Sequence, residues 1–186
     1  MTRIIAGTAG GRRLTTPPGD ATRPTTDRVR EAVFSSLEST LRTWAGRRFL
    51  DLYAGSGAVG LEALSRGAAH ATLVEKHAKA AALAQENARR LQFSAAEIVV
   101  AAAERYVRQP PEEPYDVVFL DPPYTLATSA VGDLLGLLAD RGWLAPGGLV
   151  AVERSSRDEE PAWPDGISPD RAKRYGETVV WYGHAV

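Results

Sequence analysis

Two short segments of the sequence combine residue types that could do chemistry at the ends of β-strands. The first is the stretch 49–60, where an apolar run delivers Asp51 to a turn containing Gly55 and Gly57. The second is Asp-Pro-Pro-Tyr at 121–124, which also follows an apolar run. Because ligands bind beyond the carboxyl ends of strands in open α/β sheets, the two segments predict one site built from two strand ends.

The glycine turn predicts a binding site for a nucleotide-like ligand. The spacing Gly-x-Gly-x-x-Gly at 55–60 matches the dinucleotide fingerprint, and a helix that begins after such a turn directs free N–H groups at its ligand. Glu75, at the end of the next apolar run, is expected to bind ribose hydroxyls. Asp51 would repel a pyrophosphate, so it favours a cationic ligand such as S-adenosylmethionine. A glycine turn alone is equally compatible with a structural turn that binds nothing.

The segment 121–124 suits methylation of an exocyclic amine. Such an amine is a poor nucleophile because its lone pair is delocalised into the ring. Asp121 and the backbone carbonyl of Pro122 could each accept one N–H, which would localise the lone pair. Tyr124 offers a flat surface for a base that has left its stack, and methyl transfer then depends mainly on proximity and orientation. The alternative is a structural Pro-Pro turn followed by a core aromatic residue.

The elements that must position these two motifs alternate between strand and helix. Strands are predicted at 48–53, 71–75, 97–101, 115–120 and 148–153. Helices are predicted at 57–66, 77–91, about 103–108 and 126–141. This alternation predicts a parallel sheet with helices on both faces and right-handed crossovers. Two β-prone runs, at 171–175 and 178–184, predict a hairpin at one sheet edge, and residues 154–169 are expected to form a loop.

The chain before the first predicted strand is basic. Residues 1–48 carry nine Arg and four acidic residues, a net charge of +5, whereas the whole chain has a net charge of −1. Two β-prone pieces flank the glycines at 7–11 and predict a small hairpin that exposes Arg3, Arg12 and Arg13. A basic segment on an acidic body indicates a polyanionic partner.

A helix is predicted at 25–43, after a proline-containing loop. A Thr cap with Asp27 in the first turn indicates its start. Its apolar residues recur every four positions, so one face is expected to be buried, and Arg28 and Arg30 are expected to fall away from that face.

Composition excludes several other classes of protein. In 186 residues, 44% hydrophobic and 24% charged content are ordinary for one soluble globular domain. The absence of Cys excludes a disulfide framework and a thiolate metal site, and the three His residues lack ligand spacing. No apolar run reaches the ~18 residues of a membrane span. Without a signal peptide, the cytoplasm is the expected compartment, and no metal is expected.

The two motifs together resemble those of class I S-adenosylmethionine-dependent amino-methyltransferases. The runs at 23–31 and 52–67 are more specific and resemble those of the bacterial RsmD family. Members of that family methylate the exocyclic N2 amine of one guanine in small-subunit (16S) ribosomal RNA. The resemblance covers nearly the whole chain. It implies a Rossmann-like α/β fold with a seven-stranded, mostly parallel sheet, helices on both faces and an antiparallel last strand.

The resemblance also implies roles for individual residues. The implied S-adenosylmethionine contacts are Asp51, Tyr53, Ala54, Gly55, Ser56, Gly57, Glu75, Glu104 and Asp121. The implied catalytic residues are Asp121, Pro122 and Tyr124. The implied RNA contacts are Arg3, Arg12, Arg13, Arg23, Arg28 and Arg30. Whether Glu104 or only backbone contacts the adenine is left open.

The predicted organisation is a basic N-terminal hairpin or arm at 1–24 and a methyltransferase domain at 25–186, bridged by the first helix. The expected protein is a monomer that acts on small-subunit ribosomal RNA, in an assembled or assembling ribosomal subunit. The Asp-Pro-Pro-Tyr motif also occurs in DNA adenine and protein glutamine methyltransferases, so these substrates are alternatives. A nucleotide-binding module without catalysis is a further alternative.

Overall fold

The computed structural model describes residues 2–18 and 26–186, which contain seven strands and five helices. In chain order these are α1 (Asp27–Leu41), β1 (Arg48–Asp51), α2 (Ala58–Ser65), β2 (His70–Glu75), α3 (Ala78–Leu91), β3 (Ala96–Val100), α4 (Ala103–Tyr106), β4 (Tyr115–Leu120), α5 (Thr128–Asp140), β5 (Leu144–Ser155), β6 (Ile167–Tyr175) and β7 (Thr178–Ala185). None of these helices is long and apolar enough to cross a membrane.

The strands form one sheet in the order β3-β2-β1-β4-β5-β7-β6. Strands β1 to β5 pair in parallel, and β7 runs antiparallel to both of its neighbours. The predicted Rossmann-like methyltransferase fold is therefore confirmed. In this topology the order reverses between β1 and β4, and that is the place where open α/β sheets bind ligands.

The C-terminal hairpin is longer than predicted. Strand β5 extends to Ser155 and β6 begins at Ile167, so the loop expected at 154–169 is shortened from both ends. Pro169 belongs to the predicted loop, but in the structure it lies at a register shift in β6. Because β6 is the edge strand, it accommodates a proline that cannot donate a ladder hydrogen bond.

Apolar residues of the central strands are buried on both faces of the sheet. Strand side chains alternate between faces with a period of two. Phe49 and Phe119 therefore pack with the N-terminal hairpin, α1, α2 and α3, whereas Leu50 and Leu120 pack with α4 and α5. The same alternation directs Asp51 to the α2 side of the sheet.

The N-terminal hairpin is confirmed and is packed onto the rest of the fold. Its two arms form an isolated antiparallel bridge between Arg3 and Arg13, and hydrogen bonds join Ile4 N–H to the Arg12 carbonyl (2.9 Å) and Gly11 N–H to the Ile4 carbonyl (2.8 Å). Glu62 of α2 accepts hydrogen bonds from the N–H groups of Ile5 (2.8 Å) and Ala6 (3.0 Å). The hairpin backbone thus provides hydrogen-bond donors for the Glu62 carboxylate, which is fully buried.

Helix α1 begins where predicted, since the Thr26 hydroxyl accepts from the Val29 N–H at 3.2 Å. The prediction that Arg30 falls away from the buried face is wrong, because its side chain is 1% exposed. Its guanidinium donates to the Arg3 carbonyl and to Asp27 (3.1 Å), and it lies 3.8 Å from the Glu62 carboxylate. Nearby acids and a carbonyl compensate the buried charge, so Arg30 joins α1 to the hairpin and is not a surface contact for RNA.

Candidate active site

Three carboxylates converge at the carboxyl ends of β1, β2 and β4. Asp51 at the end of β1 stands in register with Leu73 of β2 and with Phe119 of β4. Glu75 and Asp121 each follow those partners by two residues, which brings them to the same edge of the sheet. At this edge the charges of Asp121 and Glu75 both act to raise the pKa of Asp51.

Asp51 is the most buried of the three, with 1% of its surface exposed. Its Oδ2 accepts a hydrogen bond from the Gly60 N–H in the first turn of α2 (3.1 Å), whereas Oδ1 is buried without a hydrogen-bond partner among the described residues. Burial raises the pKa of Asp51 to about 7; the N–H groups of Gly60 and Tyr53 oppose this shift, and the charges of Asp121 and Glu75 add to it. A cationic ligand would therefore give the unpaired oxygen a partner and reduce the repulsion among the three carboxylates.

Three glycines in and after the turn are needed for three different reasons. Gly57 has φ = 90°, which disfavours other residues, and its N–H closes the turn on the Ala54 carbonyl (2.8 Å). A Cβ at Gly60 would lie 2.7 Å from Cγ of Leu73, so Gly60 permits the close packing of α2 on β2. A Cβ at Gly55 would meet no atom within 4 Å, so the backbone there remains open to a ligand.

Glu75 holds the glycine turn with both carboxylate oxygens. Oε2 accepts from the Gly55 N–H (2.9 Å) and Oε1 accepts from the His77 N–H (2.8 Å). Each oxygen keeps a second lone pair that could accept a ribose hydroxyl. Glu75 is thus a support of the turn as well as the predicted ribose ligand.

Tyr53 and Glu104 form a pair at the side of the site. The Tyr53 hydroxyl donates to Oε1 of Glu104 at 3.0 Å. Burial, reinforced by the Glu104 charge, raises the pKa of Tyr53, so the hydroxyl stays protonated as a donor. This contact brings Glu104, which follows β3, to the residues of the glycine turn.

The segment after β4 presents one aromatic ring to solvent. Asp121 is partly exposed and Pro122 is buried. Tyr124 is 42% exposed, so it is not a core residue as the structural alternative required. A hydrogen bond from the Leu126 N–H to the Pro123 carbonyl (2.9 Å) closes the loop that carries the ring.

Sequence reasoning missed Arg154, which supports this loop from β5. Its guanidinium is buried and donates to the carbonyls of Pro123 (3.4 Å) and Leu126 (2.6 Å). The available signal was a charged pair, Glu153 and Arg154, at the end of an apolar run, where the other two strand ends carry aspartates.

Sequence reasoning also missed Asn87, which supports the glycine turn from α3. Its side-chain amide donates to the carbonyls of Ser56 (2.9 Å) and Thr15 (2.9 Å), and its Oδ1 accepts from the Thr15 N–H (2.8 Å). A polar residue among the apolar positions of the buried helix face was the available signal. Through Asn87, the segment around Thr15 that follows the N-terminal hairpin lies beside the glycine turn.

The predicted RNA-binding arginines divide into three groups. Arg3, Arg12, Arg13 and Arg28 are exposed. Arg30 is buried, and Arg23 lies outside the described residues. Arg13 is two residues from Thr15, so its backbone lies within about 7 Å of the segment that Asn87 holds against the glycine turn.

Comparison with known proteins identifies the family of this chain. The model of the family described as Conserved hypothetical protein 95 matches residues 2–184. The chain is 38% identical over 177 residues to "Ribosomal RNA small subunit methyltransferase D" of Escherichia coli K12. This match covers 95% of this chain and 86% of that protein.

Solved structures show the same fold. The Escherichia coli protein yhhF has a TM-score of 0.87 and 35% identity, and the match covers 99% of this chain and 97% of that one. An RNA methyltransferase from Salinibacter ruber, solved in complex with S-adenosyl-L-homocysteine, has a TM-score of 0.59 at 17% identity, with 83% of this chain and 91% of that one covered. At that identity the second match speaks for the fold alone.

Proposed function

We infer, because this chain belongs to the Conserved hypothetical protein 95 family, that it is a methyltransferase of small-subunit ribosomal RNA. The resemblance to the RsmD family that the motifs indicated is thereby confirmed. We propose further that the methyl donor is S-adenosylmethionine and that the acceptor is the exocyclic N2 amine of a guanine.

The donor assignment rests on the burial and the incomplete hydrogen bonding of the Asp51 carboxylate. A buried carboxylate with one unpaired oxygen, beside two other acids, fits a ligand that carries positive charge. S-adenosylmethionine supplies an electrophilic methyl group on a sulfonium. The residues that would hold its methionine portion are those of the segment 51–57. Glu75 would accept from the ribose, and Glu104 with Tyr53 would stand near the adenine.

The acceptor assignment is supported by the loop after β4. The Asp121 carboxylate and the Pro122 carbonyl can each accept one N–H of an exocyclic amine. Two such hydrogen bonds hold the nitrogen lone pair away from the base ring and orient it towards the donor site. The half-exposed ring of Tyr124 can stack on a base that has left its helix. The work of these groups is orientation, and no covalent intermediate is needed.

The four exposed arginines of the hairpin and α1 are proposed as phosphate contacts. Besides the sheet and the helices α2 to α5, the described residues contain only the N-terminal hairpin and α1 for reading RNA. Specificity for one guanine is therefore proposed to come from the folded small subunit, assembled or assembling, in the cytoplasm. A single copy of the chain contains every residue of the proposed site.

Methylation of defined substrates tests this function. Radiolabelled S-adenosylmethionine is supplied with small-subunit particles, free 16S RNA, DNA with unmethylated adenines, or a glutamine-containing peptide. We expect label only in the ribosomal samples, and N2-methylguanosine in their nucleoside digests. Label in DNA or peptide but not in ribosomal RNA would overturn the substrate assignment, and a preference for NAD over S-adenosylmethionine in binding would overturn the donor assignment.

A further inference from the structure

Arg154 is a buried cation that the methyl-transfer chemistry described above does not use. It is the penultimate residue of β5, and although its side chain is charged, it is only 1% exposed. Burial of an arginine is costly unless its charge and its N–H groups are satisfied. The partners that satisfy it therefore indicate what holds it there.

Two of those partners are backbone carbonyls of the loop that follows Asp121. One terminal nitrogen donates to the Pro123 carbonyl at 3.4 Å and the other to the Leu126 carbonyl at 2.6 Å. Because these carbonyls flank Tyr124, the guanidinium bridges the loop on both sides of the ring. The planar fork of arginine can make both bonds at once, which the single ammonium of a lysine cannot do with the same geometry.

The charge is balanced from the opposite side. Nε of Arg154 forms an ion pair with Oδ2 of Asp158 at 3.0 Å, and that carboxylate is partly exposed. Arg154 therefore joins the end of β5 to the loop that carries Tyr124.

We propose that Arg154 is a positioning residue for methyl transfer, which fixes the loop 121–126 so that the Pro122 carbonyl and the Tyr124 ring face the target amine. The inference rests on the proposed function. Arg154 touches neither substrate in this role. Its contribution is to turnover, because affinity for the RNA is set by phosphate contacts elsewhere and affinity for the donor by the glycine turn.

The test compares two substitutions at Arg154 with a matched control. Arg154→Met keeps the length of the stem and removes both hydrogen bonds, and Arg154→Lys keeps the charge and at most one bond. Arg157→Met is the control, because Arg157 lies on the next turn with its side chain 85% exposed. Turnover is measured on small-subunit particles under saturating S-adenosylmethionine, together with KM for the particles, Kd for the donor and the thermal midpoint.

We expect kcat to fall about 100-fold in Arg154→Met and about tenfold in Arg154→Lys, since loss of orientation by about 1 Å costs rates of this size. KM and donor Kd should stay within threefold of the unaltered protein, and Arg157→Met should match it throughout. Unchanged kcat in Arg154→Lys and Arg154→Met would overturn the proposal. An equal loss of donor affinity and kcat would also overturn it, since that pattern marks a general structural role.

Hydrogen exchange in the protein without substrates separates this inference from the proposed function. The Leu126 amide is protected by its bond to the Pro123 carbonyl, so peptides covering 121–128 report the order of the loop. We expect faster exchange there in both Arg154 variants, and in Arg154→Lys alone if Arg154→Met does not fold. If the unaltered protein methylates no RNA, the proposed function is refuted. If the unaltered protein is active but the Arg154 variants exchange at the same rate as it does, the positioning role of Arg154 is refuted.

Discussion

Replacement of Asp51 by Asn should remove a large pH dependence of the folded state. Asp51 has an ordinary pKa of 3.8, and burial raises it to about 7. A difference of this size corresponds to about 4 kcal/mol. Asp51 is almost completely buried, so solvent screening reduces this figure little.

The sign follows from proton binding. The folded protein keeps the Asp51 proton to higher pH than the unfolded chain does. Between about pH 4 and pH 7 the unfolded chain therefore binds fewer protons, and the free energy of unfolding falls as the pH rises. The stabilisation is complete below the unfolded pKa and is lost through the folded pKa. From pH 5 to pH 8, this one group should contribute a loss of about 2 to 3 kcal/mol.

Urea unfolding at pH 5, 6, 7 and 8 measures this loss. Asp51→Asn is the matched variant, because its side-chain oxygen can still accept from the Gly60 N–H. Its amide nitrogen replaces the unpaired Oδ1, which imposes a cost that does not vary with pH. We expect the unaltered protein to lose about 2 to 3 kcal/mol more than the variant over this range. Equal losses in the two proteins would refute the burial argument.

Binding of the donor should show the opposite dependence. If only the ionised form of Asp51 binds a cation tightly, the apparent Kd equals the intrinsic value divided by the ionised fraction. With a pKa of about 7, affinity should rise about 25-fold from pH 5.5 to pH 7.5. Calorimetry in two buffers should show proton release at the lower pH. The Asn variant should bind weakly at both pH values, and a parallel rise in both proteins would exclude Asp51 as the cause.

Three further substitutions probe the acceptor, the RNA surface and the support of the turn. Asp121→Ala should lower turnover about 100-fold or more and leave the donor Kd within threefold, measured by label transfer and calorimetry. Charge reversal at Arg12 and Arg13 should weaken RNA binding and reduce its salt slope by roughly 1.5, measured by filter binding across salt concentrations. Asn87→Leu should lower the free energy of unfolding by about 3 kcal/mol in urea titrations and weaken donor binding, because three hydrogen bonds are lost.

Each of these has an outcome that would contradict it. Unchanged turnover in Asp121→Ala would remove that carboxylate from the mechanism. For the arginines the matched control is charge reversal at Lys173 and Arg174, which are exposed on the edge strand β6; equal loss in both pairs would mean that net charge alone is responsible. An Asn87→Leu protein with normal stability and normal donor affinity would show that Asn87 does not hold the turn.

The order of elements and the two motifs could be predicted because they are local. Short continuous apolar runs separated by helical patterns encode buried parallel strands, and the glycines at 55 and 57 mark a turn that other residues disfavour. The same pattern gave the parallel sheet and brought Asp51 and Asp121 to one edge. The bounds of β6 could not be predicted in the same way, because β6 begins at Ile167, four residues before the predicted start. This edge strand forms through its pairing with β7 and not through its own composition.

The sequence by itself determined which residues end the central strands, and with them the residues of the proposed donor and acceptor sides. Only the tertiary structure decided which polar side chains are buried. Arg30 was expected at the surface, and Arg154 and Asn87 were not singled out, yet each lies in the interior. The physical reason is that a buried charge or amide is tolerated only with partners, and here those partners come from distant parts of the chain, as Glu62 does for Arg30 and the Pro123 carbonyl does for Arg154.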